Sequence, residues 1–398
     1  MRLLSSLVIL TLAGAVALGV HARGPAGPAA MTPIPGPGES MENWALKLEA
    51  KRVEVSAGIW DLQSGKLLES HNPDLALTPA STTKIISTYA MLRTLKPDYQ
   101  LKTEIFGDLI GSTVRGDLVI KGGGDPFLTS ERIWMLAQEL RHMGVQRVAG
   151  RLRLDQSAFD TQRYGRGWEN TSANTTPPIT PLAVNFNRDE KGNLVSDPDA
   201  LAYSTIQRIF LESGIGFDGI PSSVPPSHKL VDFPSPPLRM LIVDINKFSN
   251  NFMVETLLKA FGDGSWPVGV ARVQAFYQSA YGLGPDKIRI TDGSGLSKDN
   301  RLSARTLAVV LRGAWNDFEV GPEFQSSLKV IGGEPWKLKI KDPNLARRVR
   351  CKTGHLSGVD AVSGVLQMPD GKLRVFAILL NGPATDQDVW EQVSRWAN

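Results

Sequence analysis

Two different spacings of hydrophobic residues follow one another from residue 41 onward. Residues 41–51 carry apolar side chains at near-helical spacing, which predicts a helix. Residues 52–61 alternate between apolar and polar side chains and are rich in β-formers, which predicts a strand. A Gln-Ser-Gly-Lys turn and a second predicted strand at residues 67–71 follow, so the two strands form a hairpin. Thr-Pro-Ala-Ser at residues 78–81 is typical of a helix start, and the apolar face that follows ends before Pro97.

The far end of the chain mirrors this arrangement. Residues 359–367 and 373–381 flank a Pro-Asp-Gly-Lys turn and predict a second hairpin, and residues 386–396 predict a closing amphipathic helix. Between residues 99 and 236 the pattern changes to short strands, a helix near residues 130–143 and long polar loops. We therefore expect a separate module inside a domain that is built from both ends of the chain.

Composition narrows the class of protein. The chain has 398 residues, of which 42% are hydrophobic and 21% are charged, as in ordinary globular proteins. One cysteine, Cys351, cannot form an intrachain disulfide or a cysteine-based cluster, and five scattered histidines without an H-E-x-x-H pair predict no metal site. The net charge of +4 gives no support for a nucleic-acid partner. We expect neither a metal nor another cofactor.

The first residues have the pattern of a secretory signal peptide. A basic Arg2 precedes an apolar run at residues 3–20, and Val20-His21-Ala22 has small residues where a signal peptidase requires them. An uncleaved membrane anchor is the alternative, but serine, threonine and glycine dilute the run. We expect cleavage after Ala22, a flexible leader at residues 23–40, no stable transmembrane anchor, and a periplasmic or secreted protein.

Three short motifs occur in order along the chain. They are Ser81-Thr82-Thr83-Lys84 at the predicted helix start, Ser249-Asn250-Asn251 before a helical pattern, and Lys352-Thr353-Gly354 on a predicted strand. Each motif alone is weak, because Ser326-Ser327-Leu328-Lys329 is also S-x-x-K. Only the set that begins at Ser81, Ser249 and Lys352 combines S-x-x-K at a helix start with K-T-G on a strand that can pair with the N-terminal hairpin.

The residue types in these motifs suit nucleophilic catalysis. A serine hydroxyl is a weak nucleophile until a neighbour removes its proton, and a lysine three residues later in a helix lies one turn away on the same face. Ser81 is therefore the candidate nucleophile and Lys84 its base, with a pKa lowered by crowding of other cations. We expect Ser249 to lie between Lys84 and Lys352 and to relay the proton to the leaving amine. Asn251 would hold the substrate amide.

The third motif supplies candidate substrate contacts. Lys352 and Thr353 can bind a free carboxylate at the end of the substrate, and Gly354 allows the substrate backbone to lie against the strand. The backbone N–H groups of Ser81 and His355 would form the oxyanion hole. The side chain of His355 is expected to shape the pocket without taking part in the chemistry.

These motifs and three further segments resemble one family. The segments are Gly122-Gly123-Gly124-Asp125-Pro126, Pro181-Leu182-Ala183-Val184-Asn185-Phe186-Asn187 and Asp292-Gly293-Ser294-Gly295-Leu296-Ser297. From about Met41 to its C-terminus the chain is similar to the penicillin-binding D-alanyl-D-alanine carboxypeptidases of the low-molecular-mass class C type, serine peptidases that include endopeptidases. The resemblance implies release of D-alanine from peptidoglycan stem peptides through a Ser81 acyl-enzyme. It also implies that β-lactam antibiotics act as inhibitors.

The resemblance implies a nested fold as well. We expect an α/β (α+β) domain of the serine β-lactamase/transpeptidase-like type, with an antiparallel sheet flanked by helices, formed by residues 41–98 and 237–398. A single inserted β-rich domain is expected at residues 99–236, because Lys84 and Ser249 are 165 positions apart (249 minus 84), which fits an insertion but is short for two inserted domains.

Two residues have roles that the sequence leaves open. Asp125 either caps the turn after the glycine run or, as the resemblance implies, faces the cleft and binds the cationic end of the stem peptide. Lys298 follows Gly-Leu-Ser, where relatives usually have arginine. Because arginine binds a carboxylate through two parallel hydrogen bonds and lysine does not, we expect recognition of the peptide side chain to differ here.

Two other functions fit parts of the same pattern. A β-lactamase or esterase would share the acylation chemistry, but the chain lacks the Glu-x-x-Leu-Asn segment that speeds deacylation in the class A enzymes. A catalytically silent wall-binding protein would have lost a catalytic residue, whereas every motif residue is present. The sequence does not separate carboxypeptidase from endopeptidase activity, since both cleave next to a D-centre.

Overall fold

The structure is a computed structural model that describes residues 40–168, 176–220, 223–333 and 342–398. The helices in these ranges are α1 (Met41–Glu49), α2 (Thr83–Leu95), α3 (Ser130–His142), α4 (Pro198–Glu212), α5 (Leu238–Lys247), α6 (Asn251–Phe261), α7 (Trp266–Tyr281), α8 (Ala304–Asn316), α9 (Gly321–Ser327) and α10 (Asp386–Ala397). The strands are β1 (Glu54–Asp61), β2 (Leu67–His71), β3 (Lys102–Ile110), β4 (Thr113–Lys121), β5 (Arg147–Val148), β6 (Leu152–Asp155), β7 (Gly216–Phe217), β8 (Lys229–Pro234), β9 (Lys329–Val330), β10 (Val349–Leu356), β11 (Val359–Gln367) and β12 (Leu373–Asn381).

One sheet is built from both ends of the chain. Its strand order is β2-β1-β12-β11-β10-β9, and every pairing is antiparallel. The two predicted hairpins are therefore neighbours, because β1 pairs with β12. The expectation that the strand carrying Lys352-Thr353-Gly354 pairs with the N-terminal hairpin is wrong, because β11 and β12 lie between β10 and β1.

Helices cover both faces of this sheet, which explains why β11 and β12 are apolar along most of their length. On one face α1 and α10 contribute Trp44 and Trp396 to a core that includes Phe376. On the other face α2 and α8 contribute Ile85 and Leu307 to the largest core. The sheet is thus the middle layer of a helix–sheet–helix sandwich, as the family resemblance implied.

A second sheet takes all of its strands from the middle of the chain. Its order is β7-β5-β4-β3-β8, with β6 also paired to β4, and α3 and α4 pack on it around residues such as Leu118, Ile133 and Phe210. We propose that residues 99–236 form a single inserted domain within a catalytic domain of residues 41–98 and 237–398. The division is not clean, because Phe159 and Trp168 belong to the core of the first sheet.

The predicted signal peptide, residues 1–22, lies outside the described residues. So does the predicted leader, except for Ser40, whose hydroxyl accepts a hydrogen bond from the Asn43 N–H and begins α1. Among the helices that the structure describes, none combines the length and the apolar character needed to span a bilayer.

Candidate active site

Ser81 lies in a short 3-10 turn, Ala80–Thr82, that continues into α2. The turn is held at its base, where the Thr82 hydroxyl donates to the Pro79 carbonyl over 2.7 Å. Ala80 has a left-handed φ of 47°, which costs energy in a residue with a Cβ. Gly295 packs so closely here that a Cβ on it would lie 1.8 Å from the Ala80 oxygen. The turn that presents Ser81 is therefore clamped in a strained geometry.

Lys84 follows one helical turn later and is fully buried. Its Nζ donates hydrogen bonds to Ser81 Oγ at 3.0 Å, to Asn251 Oδ1 at 2.6 Å and to the Ser294 carbonyl at 2.8 Å. Three acceptors from three parts of the chain thus fix the amine beside the candidate nucleophile.

Burial is what lowers the pKa of Lys84, to about 7, while the negative charges of Glu255 and Asp292 oppose that shift. The predicted cause, crowding by other cations, is wrong for this lysine. That cause does act on Lys352. Burial lowers its pKa well below the ordinary value, and the neighbouring Lys84 and Lys329 lower it further.

The S-x-N motif lies where α5 gives way to α6. Ser249 has a left-handed φ of 59°, and the side chain of Asn250 accepts from the Met253 N–H and caps α6. Ser249 Oγ accepts a hydrogen bond of 2.9 Å from Lys352 Nζ, whereas Lys84 bonds to Asn251. The structure therefore brings both lysines to the motif, but each reaches a different residue of it.

The K-T-G strand packs directly against the turn of Ser81. A Cβ on Gly354 would lie 2.8 Å from the Pro79 oxygen and 2.9 Å from the Ser81 nitrogen, so only glycine fits. Lys352 is fully buried and its Nζ also donates to the Thr353 carbonyl at 2.7 Å.

One edge of β10 has little strand pairing. β10 pairs with β11 along its whole length, but β9 pairs only with Arg350 and Cys351. Among the described residues, no strand covers the other edge from Lys352 to Leu356. β10 lies beside Ser81 at Gly354, and its open edge can take an added strand.

His355 and Lys298 lie at the same end of β10. His355 Nδ1 is 2.7 Å from Asp360 Oδ1, and its ring is largely exposed. Lys298 Nζ donates to the Ser357 carbonyl at 3.0 Å, in the turn between β10 and β11. Both predicted substrate contacts thus lie beyond Gly354, although neither side chain bonds to the serine–lysine cluster.

Asp125 performs the first of its two candidate roles. Its Oδ1 accepts from the Phe127 N–H at 2.8 Å and so caps the turn, while Oδ2 lies 3.6 Å from Arg132 Nη2. The side chain is almost completely buried, and burial raises its pKa to about 6. A contact with the stem peptide stays a prediction.

Two buried carboxylates lie behind Lys84: Glu255, which no motif indicated, and Asp292, which begins one of the family-like segments but was given no role. Glu255 Oε1 accepts from the N–H groups of Gly293 and Ser294, at 3.0 and 2.6 Å. Asp292 Oδ2 accepts from the Ser297 N–H at 2.7 Å and from the Trp168 indole at 2.9 Å. The available signal for Glu255 was an acidic residue four positions after Asn251, on a helix whose residues are mostly apolar.

A family model matches almost the whole of this arrangement. The match covers residues 39–193 and 183–398 and is described as the D-Ala-D-Ala carboxypeptidase 3 (S13) family. The chain belongs to this family. The predicted relationship, and with it the assignment as a serine-type D-Ala-D-Ala carboxypeptidase, is thereby confirmed.

Curated proteins similar to this chain are named as D-alanyl-D-alanine carboxypeptidases. A D-alanyl-D-alanine carboxypeptidase from an Actinomadura species is 27% identical over 417 residues, covering 81% of this chain and 76% of the relative. The D-alanyl-D-alanine carboxypeptidase DacB of Haemophilus influenzae is 23% identical over 408 residues, covering 82% of this chain and 85% of that protein.

Solved structures confirm the predicted fold. The crystal structure of penicillin binding protein 4 from Haemophilus influenzae has a TM-score of 0.74 and 20% identity, covering 86% of this chain and 93% of that chain. A predatory peptidoglycan endopeptidase from Bdellovibrio bacteriovorus has a TM-score of 0.56 and 18% identity, covering 86% of this chain and 91% of that chain.

Proposed function

We propose that this carboxypeptidase is exported, acts on peptidoglycan stem peptides through an acyl-enzyme at Ser81, and is inhibited by β-lactams that acylate the same serine. The observation that carries the proposal is the 3.0 Å contact between Lys84 Nζ and Ser81 Oγ. Because the pKa of Lys84 is lowered to about 7, a large share of its amine is unprotonated near neutral pH. In that form Nζ accepts the Ser81 proton.

Acylation then follows from this geometry. Ser81 Oγ bonds to the carbonyl carbon of the penultimate D-alanine as its proton passes to Lys84, and the negative oxygen that forms is stabilised by the N–H groups of Ser81 and His355. The close approach of Gly354 to the Ser81 nitrogen supports this pairing, since it sets β10 against the serine turn. The C–N bond breaks and the leaving amine takes the proton. Water later cleaves the ester and restores Ser81.

Lys352 has two tasks in this proposal. Its bond of 2.9 Å to Ser249 Oγ orients that hydroxyl for proton transfer to the leaving amine, in place of a direct contact between Ser249 and Lys84. With Thr353 it binds the terminal carboxylate of the substrate. An arriving carboxylate favours the protonated amine, so substrate binding raises the depressed pKa of Lys352 and charges it only when its partner is present.

The unpaired edge of β10 provides the place for the stem peptide. A substrate in extended form adds to this edge as a further strand, and its backbone passes Gly354 toward the turn that Lys298 holds. Lys298 is placed to contact the peptide side chain. Asp125 would require an opening of its buried carboxylate before it contacts a cationic side chain.

Purified muropeptides test the proposal. The protein is incubated with monomers that end in D-Ala-D-Ala and, separately, with cross-linked dimers, and the products are weighed by mass spectrometry. Loss of one alanine mass from the monomer supports the carboxypeptidase, and splitting of the dimer adds endopeptidase activity. Absence of both with folded protein refutes the proposal.

N-terminal sequencing of the exported protein tests the signal peptide, with Arg23 as the expected first residue.

The lifetime of the penicillin adduct tests the β-lactamase alternative. An acyl-enzyme that persists for many minutes favours the peptidase, and turnover within seconds favours the β-lactamase.

A further inference from the structure

A polar stripe crosses the buried helix α6 behind the active site. Asn251, Glu255 and Lys259 lie four residues apart and therefore on one face, and the last two are fully buried. Asn251 at the top of the stripe accepts from Lys84, so the stripe begins at the candidate base. Buried charges are costly unless they are paired, which calls for an account of Glu255 and Lys259.

Lys259 is satisfied away from the active site. Its Nζ donates to Asp160 Oδ1 and to the Gln162 carbonyl, both at 2.6 Å, and lies 4.4 Å from the centre of the Trp266 ring. Its counter-charge is therefore Asp160 on the neighbouring segment. Glu255 bonds to no cation among the residues that the structure describes, and it keeps the Gly293 and Ser294 N–H groups and the Trp266 indole as donors.

The contacts of Glu255 lead back to Lys84. Its Oε1 holds the Ser294 N–H at 2.6 Å, and the carbonyl of the same residue accepts from Lys84 Nζ at 2.8 Å. A Gly-rich loop has little stiffness of its own, so the position of that carbonyl depends on what anchors its backbone. Glu255 anchors it from the helix that also carries Asn251, the other acceptor of Lys84.

We propose that Glu255 is a positioning residue for acylation: its carboxylate fixes the backbone of Gly293 and Ser294 so that the Ser294 carbonyl holds Lys84, and its charge acts on the buried amine. The inference rests on the proposed role of Lys84 as base. Burial and the neighbouring Asp292 raise the pKa of Glu255 to about 7, so its charge is itself sensitive to pH. The other titratable groups that face this cluster are Asp292 beside Ser297 and Lys352 beside Ser249.

The Glu255→Gln variant separates charge from position. The amide keeps an oxygen for the two loop N–H groups but removes one of the two negative charges that oppose the effect of burial, so the pKa of Lys84 falls further while Asp292 still opposes the shift. We expect the pH midpoint for acylation by a fluorescent penicillin to move about one unit lower. The plateau rate should fall less than about tenfold, because the loop keeps its acceptor. Glu255→Ala, which leaves the loop N–H groups unpaired, should lose much more.

Two further variants guard against a folding artefact. The amide nitrogen that Glu255→Gln introduces would face the Trp266 indole N–H, so the double variant with Trp266→Phe removes that conflict. Glu69→Gln is the matched control, because Glu69 also accepts from an indole, that of Trp396, but lies on β2. The control should leave the midpoint unchanged.

The outcomes separate the two proposals. A wild-type protein that forms no adduct at Ser81 refutes the proposed function, whatever Glu255 does. An adduct in wild type with a lowered midpoint in Glu255→Gln, or in the double variant if the single one melts too early, supports the role of Glu255. An unchanged midpoint in a folded variant overturns it. So does a loss of rate that is equal at every pH and tracks the melting temperature, since that is what a purely structural role predicts.

Discussion

Lys84 Nζ lies 3.0 Å from Ser81 Oγ, and no water-exposed surface of the lysine remains. The two residues are neighbours for a local reason, because a spacing of three places them on one face where the 3-10 turn of Ser81 continues into α2. The ability of Lys84 to act as a base toward Ser81 depends on the tertiary structure. It depends on the burial of Lys84 under α6 and the Asp292 loop, which lowers the pKa of the amine into the range of a useful base.

The first expectation concerns the pH dependence of acylation. The pKa of Lys84 is lowered to about 7, and only the unprotonated amine accepts the Ser81 proton. Acylation by penicillin should therefore rise with pH through a midpoint near 7 and fall about tenfold for each unit below it. Stopped-flow rates between pH 5 and 9 check this. A profile that is flat down to pH 5 would exclude Lys84 as the base.

The second expectation concerns the role of Lys352 in binding the substrate carboxylate. Replacing Lys352 with alanine removes the proposed carboxylate contact, so kcat/KM should fall at least tenfold for a peptide with a free C-terminus. A peptide with an amidated C-terminus should lose less, because it loses only the orientation of Ser249 by Lys352. Lys372→Ala, in the exposed turn between β11 and β12, is the control and should change neither. An equal loss on both peptides would contradict carboxylate binding by Lys352.

The third expectation tests the packing of β10 on the serine turn. Gly354→Ala places a methyl group within 3 Å of the Pro79 oxygen and the Ser81 nitrogen, so the strand must shift. We expect a loss of about 1–3 kcal/mol in the free energy of unfolding and at least a tenfold slower acylation. Gly216→Ala is the control, because the nearest atom to its Cβ is 4.0 Å away. Equal behaviour of both variants in melting and labelling assays would contradict the close fit.

The fourth expectation concerns the docking of α1. His71 on β2 lies 3.2 Å from Glu42 and 2.8 Å from Glu49. Burial lowers the pKa of His71, but the hydrogen bonds of these two carboxylates outweigh it and raise the pKa overall. The stabilisation is thus complete below the ordinary histidine value near 6.5 and is lost as the pH rises through the raised value.

His71→Gln measures that contribution. The variant should lose about 0.5–1 kcal/mol of stability at pH 5.5 and less at pH 8.5. Denaturant titrations at the two pH values check this, with His142→Gln, at an exposed position near the end of α3, as the control. A loss that grows with pH would reverse the sign and contradict the ion pair.

Local pattern was enough to predict the motif residues and most elements around them. The S-x-x-K spacing requires only one helical turn, and the K-T-G strand has the alternation of a strand beside a hairpin. The strand order could not be predicted, because the pattern along a single strand does not name its neighbours, which are set by the packing of the whole sheet.

The positions of Glu255 and Asp292 behind Lys84 could not be predicted for a related reason. Glu255 and Ser294 are far apart in sequence, and their contact forms only when α6 packs on the Asp292 loop. The same is true of Trp168, which lies in the middle segment of the chain but is buried against Asp292. The burial that sets the pKa of Lys84 is therefore assembled from segments that no short motif connects.

Mass spectrometry of the penicillin-treated protein tests the central claim most directly. The wild-type chain should gain one penicillin mass, and digestion should place it on the peptide that contains Ser81. The Ser81→Ala variant should gain none, while Ser326→Ala, in the second S-x-x-K segment, should label like wild type. A covalent adduct that persists in folded Ser81→Ala protein would contradict the account.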